Sequence, residues 1–275
     1  MNASADEQPT SGPPSLTDAA RAVLTMADPF EKLRLTQTAW KAWHAGTLST
    51  IGIAGAPDRP ARPARPELRR PGDMPKRRAG GSIGNRVALL HALAHIELNA
   101  IDLAWDMIAR FADDTLPRAF AADWLGVAGE EARHFGLLAG RLAELDACYG
   151  DLPAHDGLWE AAWTTRDDLL ARLAVVPLVL EARGLDVTPP MIASLTRAGD
   201  DASAAVLQTI YREEIGHVAI GWRWFRHAAG TRGLDPDAAW PDLVRRFFRG
   251  RLKPPFNDPA RLAAGFAEPL YASLA

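Results

Sequence analysis

The chain predicts an all-α fold, and three observations carry that expectation. From residue 85 onward, apolar side chains recur at three- and four-residue intervals over runs of about 18 to 30 residues, the period of an amphipathic helix. No comparable stretch alternates with period two, so no strand of any length is expected. Proline, glycine and small polar residues gather mostly between these runs, where they act as stops and connections.

Taken in order, residues 1–14 are polar and rich in proline and glycine, the composition of a disordered tail. Residues 15–84 hold an N-terminal helical region and a strap. Ser15 reads as an N-cap, and a helical pattern follows through Ala19, Val23, Leu24 and Phe30 toward Trp40 and Trp43, in two pieces. Between Gly46 and Gly81 the pattern dissolves into PDRPARPARPELRRPGDMPKRR, where proline recurs too often for a helix or a central strand.

Residues 85–230 should form four long helices. The first runs from Asn85 to Phe111 with Leu90, Ala94, Glu97, Ile101, Ala104 and Ile108 on one face. The second, from Pro117 to Ala147, aligns Phe120, Trp124, Val127, Glu131, His134, Leu138 and Leu142. After a long connection the third covers Arg166 to Arg183, placing Leu170, Ala174, Pro177, Leu178 and Glu181 together, with Gly184 as its stop and a shorter helix over Pro190 to Arg197. Pro177 removes a backbone hydrogen bond one turn before Glu181, so a kink or a π-type irregularity is expected there. The fourth runs from Asp201 to Ala229, ends at Gly230, and turns Val206, Leu207, Ile210, Glu214, His217, Gly221 and Trp224 inward. Residues 231–275 form a helical extension.

Composition narrows the function only by exclusion. Apolar residues make up 48% and charged ones 24%, and a net charge of -3 names no partner. The single cysteine, Cys148, excludes an intramolecular disulfide and a cysteine-built zinc site. The N-terminal residues show no signal-peptide pattern and the apolar run Leu173 to Leu180 is too short to span a bilayer, so the expectation is a cytoplasmic protein with no membrane partner. Residues 59–78 carry eight basic residues against Glu67 and Asp73. An RNA partner is one reading, but without interleaved aromatics for base stacking a strap pinned to acidic helix faces comes first. A homodimer is left open.

The residues that speak to chemistry are a repeated pentapeptide. EEARH at 130–134 returns as EEIGH at 213–217, in a chain with only seven histidines. Positions i and i+3 share a helix face, so Glu131 with His134 and Glu214 with His217 can each grip one metal ion. Glu97 and Glu181 sit in apolar stripes where leucine would be the bland choice, and a buried carboxylate must be protonated, paired or bound to a cation. The spacing is 34 residues from Glu97 to Glu131 and 33 from Glu181 to Glu214, as in a duplicated helix pair. At about 1.5 Å per residue, antiparallel neighbours bring all four glutamates to one depth. The competing reading is a set of solvated surface charges. His95 lies two residues from Glu97, on another side of the helix, and with His91 is assigned an interhelical role.

One Glu from each of two helices plus Glu-x-x-His from each of the other two is a described pattern, and residues 85–230 resemble the ferritin-like di-iron carboxylate superfamily. The stretches MPKR at 74–77, HIELNAIDLAWD at 95–106 and LEARGLD at 180–186 are similar to an uncharacterised bacterial ferritin-like family. The resemblance implies a four-helix bundle holding two Fe ions, or Mn, or one of each, on Glu97, Glu131, His134, Glu181, Glu214 and His217. It implies that Glu130 and Glu213 hold the histidines of the opposite helix, His217 and His134, the rival reading being solvated acids facing Arg133 and Arg212. Tyr211, Trp105 and Trp124 are candidates to lie near the metals. With Leu138 one turn beyond His134, a stored tyrosyl radical is not expected. The implied activity is oxidation or hydroxylation of a small-molecule substrate with O₂. Alternatives are a ferroxidase or iron-handling protein, and a binding protein with a vestigial site.

Overall fold

The computed structural model describes residues 15–53, 55–70, 73–74 and 82–275. The tail expected at 1–14, and residues 54, 71–72 and 75–81 of the strap region, lie outside these. The described chain is all-α apart from one pair of two-residue strands. Ser15 caps α1 (Leu16–Thr25): its hydroxyl accepts from Asp18 N–H while the Asp18 carboxylate accepts from Ser15 N–H, a reciprocal pair that satisfies two terminal donors. Asp28 caps α2 (Pro29–His44). The break between them matches the expected two pieces, although Phe30 is exposed.

Four long helical segments follow. They are α3 (Ile83–Phe111), α4 (Arg118–Ala143), a composite of α6 (Leu169–Val175), a π-helical turn (Val176–Glu181) and α7 (Ala182–Arg197), and α8 (Asp201–Thr231). Here α5 (Gly157–Thr164) names the short helix in the connection after α4. The main contacts are α3 with α4 and α7 with α8, and α4 and α6 also meet α8. Nearly every residue of α3 from Ala94 to Ala109 is buried, because α1, α4 and α5 cover different sides of it. By length and composition α3 could cross a membrane, yet 67% of its most apolar window is buried inside the protein, as in the core helix of a soluble fold.

The third segment departs from expectation. Gly184 does not end it: the helix runs on to Arg197 through Pro189 and Pro190. Proline at 189 leaves the Leu185 carbonyl without its usual intrahelical donor, and Asn257 Nδ2 supplies one at 3.0 Å. The expected shorter helix at 190–197 is therefore the end of a longer one. Gly230 likewise lies inside α8, whose stop is Gly233 at φ 66°, with Gly233 N–H bonded to Gly230 O and Leu234 N–H to Ala229 O.

The basic strap is pinned to acidic groups. Arg62 reaches Asp102 and Asn99 on α3, and Arg59 reaches Asp156. Lys32 of α2, fully buried, also bonds Asp102, so one carboxylate joins α2, α3 and the strap. β1 (Leu68–Arg69) pairs in parallel with β2 (Ala154–His155). At the C-terminus α9 (Pro236–Phe247) packs on α6, and α10 (Asp258–Ala263) and α11 (Glu268–Tyr271) complete the extension. Trp240 donates to Ala174 O in α6 and Arg261 makes a two-pronged bond to Asp186 in α7.

Candidate metal centre

Each carboxylate reaches the centre by a different local device. Glu97 projects from a regular turn of α3. Glu131 with His134 on α4, and Glu214 with His217 on α8, use the shared i, i+3 face of unbroken helix. Glu181 closes the π-helical turn that begins around Pro177. That turn presses on α8 at Gly221, where a Cβ would stand 2.5 Å from Pro177 Cβ, so only glycine permits the approach. Of the two outcomes expected at Pro177, the π-type irregularity is the one observed.

One atom each of Glu97, Glu131, His134 and Glu214 lies within 4.8 Å of the others, a group that could hold a metal ion. His134 Nδ1 is 3.3 Å from both Glu97 Oε2 and Glu131 Oε2. His217 Nδ1 is 3.0 Å from Glu131 Oε1 and 3.7 Å from Glu214 Oε2. The first of these is close but not aligned as a hydrogen bond, so both His217 Nδ1 and Glu131 Oε1 are buried without a protein partner. Glu181 Oε2 and Glu214 Oε2 are in the same condition. Four unpaired buried atoms in one cluster are unusual, since such groups are normally satisfied. They fit a centre whose donors are meant for a cation.

The far nitrogen of each imidazole is tied to the opposite helix. His134 Nε2 meets Glu213 Oε2 at 2.6 Å, and His217 Nε2 meets Glu130 Oε2 at 2.7 Å. In a neutral imidazole, an Nε2–H donated to a carboxylate leaves Nδ1 as the lone-pair nitrogen, and Nδ1 is the atom turned toward Glu97, Glu131 and Glu214. Arg133 also reaches Glu213, at 2.6 Å, whereas Arg212 bonds along its own helix. For Glu213 the two readings of the doubled glutamates coexist; Glu130 contacts His217 and is 44% exposed.

Burial without enough opposite charge forces protons into the cluster. Burial, then the neighbouring Glu131 charge, pushes Glu97 well above the usual carboxylate range. Burial followed by the charges of Glu214 and Glu131 lifts Glu181 to about 8, and Glu214 is raised for like reasons. Burial opposes charge on His134, but hydrogen bonds to Glu131 and Glu97 outweigh it and hold the imidazole up at about 11. His217 is also raised, by Glu131 and Glu214 against burial. Burial opposes ionisation of Glu131 too, yet the His217 charge and the His134 hydrogen bond win and keep it low. Glu131 is the electrostatic centre, facing both histidines.

A cavity of about 180 Å³ opens against the carboxylate side. Glu97, Glu131, Glu181 and Glu214 line it, and its remaining wall is largely apolar, including Ile96, Leu103, Leu180 and Met191. The other sequence candidates do not line this cavity. His95 bonds the Tyr149 hydroxyl and the His155 carbonyl, and burial drives its pKa down to about 3; His91 accepts from Gly150 N–H. The Tyr211 hydroxyl accepts from Asn257 Nδ2, and Trp105 donates to Thr36. Trp124 Nε1 is buried without a partner. Sequence reasoning passed over Asp102 and Asp106, buried on α3 and held by Lys32, Arg62, Arg110 and Arg172. The signal was available: two carboxylates four residues apart in an apolar helix call for buried cations.

No solved structure matches this chain. It is similar to an uncharacterised protein of Haemophilus influenzae, 43% identical over 206 residues that cover 73% of this chain and 71% of the relative. The family model described as "Protein of unknown function (DUF455)" matches residues 25–272, and the chain belongs to that family.

Proposed function

We propose that this protein is a ferritin-like four-helix bundle and a non-haem dinuclear oxidoreductase, oxidising or hydroxylating a small-molecule substrate with O₂. The observation that carries the reading is the pair of imidazoles. Each has Nε2 fixed by a glutamate of the opposite helix and Nδ1 facing a cluster with four buried, unpartnered polar atoms. Glu97, Glu131, His134, Glu181, Glu214 and His217 would hold the metals. Four carboxylates with two neutral imidazoles carry a charge that two divalent cations neutralise, and a mixed oxygen and nitrogen set suits iron or manganese. A bound pair of such ions in the divalent state would supply two of the electrons that reduce O₂, the substrate supplying the other two.

The chain's own residues do the rest. Glu130 and Glu213 hold the imidazoles in one tautomer and orientation. The apolar wall of the 180 Å³ cavity limits water beside the carboxylates and offers room for an organic group. Glu181, carried by a π-helical turn with an unpartnered oxygen, is the carboxylate most free to change its position.

Anaerobic loading with ferrous iron followed by elemental analysis tests the reading, with about two irons per chain and O₂ uptake on aeration as the expected result. Stoichiometry far above two would favour iron storage, and a protein that takes up no metal would be a binding protein with a relic of the site.

A further inference from the structure

A second cavity, about 250 Å³, lies where α7 faces the C-terminal segment, and its chemistry is opposite to that of the glutamate cluster. Arg183, Arg251, Lys253 and Arg261 line it against a single carboxylate, Asp186. Asp186 is already engaged by Arg261 at 2.9 and 2.7 Å, by Asn257 N–H at 2.9 Å and by Arg183 at 3.4 Å. Among the described residues Arg251 and Lys253 form no ion pair.

Arg261 supplies the independent observation. It is 2% exposed and clamped between Phe256 and Tyr271, and its Nη1 has no hydrogen-bond partner. Guanidinium donors in buried settings are normally saturated, and here Nε and Nη2 are spent on Asp186 while Nη1, on a residue that lines the cavity, is left for an oxyanion. The segment carrying Arg251 and Lys253 is held in place by Leu252 N–H on Leu274 O and by Arg183 on Lys253 O. The cations are thus presented by a braced backbone.

This cavity and the one against the glutamates share Leu180 and Arg183 as lining residues. At 180 Å³ the glutamate-side cavity is smaller than the roughly 300–1,000 Å³ usual for organic ligands, and the two together enter that range. We propose that the α7 cavity is an oxyanion site anchoring the acidic end of an amphipathic substrate, whose apolar body crosses Leu180 toward the glutamate cluster. The orientation follows from charge: an anion is repelled by the glutamates and attracted by the arginines, so the apolar end is the one delivered for oxidation. The anion site stands on the cavity alone, while the delivery rests on the function proposed above.

Calorimetric titration of the full chain with decanoate, acetate, inorganic phosphate and 1-decanol tests this, on iron-loaded and chelator-treated protein. Decanoate is expected to bind at least about tenfold more tightly than acetate and to be displaced by phosphate. The exposed double variant Arg251→Ala/Lys253→Ala should weaken decanoate by about tenfold or more and leave decanol within about threefold. Leu180→Trp should weaken decanoate but not phosphate. Unchanged decanoate affinity in the double variant would overturn the anion site. Phosphate binding with decanoate no tighter than acetate would overturn the amphipathic substrate. If decanoate behaves as expected on protein that takes up no metal, the oxidase reading falls and the anion site stands.

Discussion

The two helix pairs that face one another across the glutamate cluster began from nearly the same pattern and are built differently. In α3 and α4, Glu97 and Glu131 lie on unbroken helix and close upon His134 at 3.3 Å each. In the other pair, Glu181 rides on a π-helical turn, Gly221 of α8 admits Pro177, and three of the four unpartnered atoms, Glu181 Oε2, Glu214 Oε2 and His217 Nδ1, are found, the fourth being Glu131 Oε1 of the first pair. The first half is a closed wall and the second an adjustable one. The glutamate-side cavity is lined from both halves, whereas the cavity lined by Leu180, Arg183 and Arg261 adjoins the second half and not α3 or α4. A duplicated ligand pattern thus fixes where metals could sit, and a local break in one helix makes the two halves unlike.

The largest break in this comparison should come from Glu131, which faces both histidines. Glu131→Ala is expected to abolish binding of both metals by elemental analysis, whereas Glu181→Ala on the adjustable side should keep at least one.

Proton competition comes next. Glu181 at about 8 and His134 at about 11 both hold protons at neutral pH, and metal must displace them. Because the raised pKa values favour the protonated, metal-free form, affinity should fall as pH drops from 8 to 6, by about tenfold per pH unit for each proton displaced. Competition with a chelator of known pH dependence measures this, and an affinity flat across that window would contradict the assigned charges.

Smaller effects belong to the residues that hold the histidines. Glu213→Gln and Glu130→Gln should each weaken metal binding by roughly 10- to 100-fold without abolishing it. Glu130 is the more exposed of the two and lacks the Arg133 contact of Glu213, so its loss should cost less. Total loss in either variant would make that glutamate a ligand.

The smallest effects concern the helices themselves. Gly221→Ala forces Cβ against Pro177 and should lower stability by about 1–3 kcal/mol, read as a fall in Tm with a parallel disturbance of metal binding. Gly126→Ala on α4 meets nothing within 4 Å and should be neutral or stabilise by up to about 1 kcal/mol. Equal behaviour of the two would remove the claimed difference between the halves.

What could be read directly from the chain was whatever depends on neighbours within a turn or two. The 3.6-residue period made the helices legible, Ser15 announced a cap, and the i, i+3 spacing put each Glu on a face with its His. Pro177 marked an irregular turn because a missing N–H is a local fact. Decisions that need a distant partner were not legible. Gly184 read as a stop, yet the helix continues, and the Leu185 carbonyl that Pro189 leaves without a donor is met by Asn257, about seventy residues away. Phe30, written into the apolar stripe, stays more than half exposed, its ring meeting α4 only edge-on at Phe135. The bracing of His134 by Glu213, of Asp102 by Lys32 and Arg62, and the unpartnered Nη1 of Arg261 are also tertiary. Helical period is a property of contiguous backbone, whereas the pairing of a buried charge is settled only when remote segments are packed together and water is no longer there to answer it.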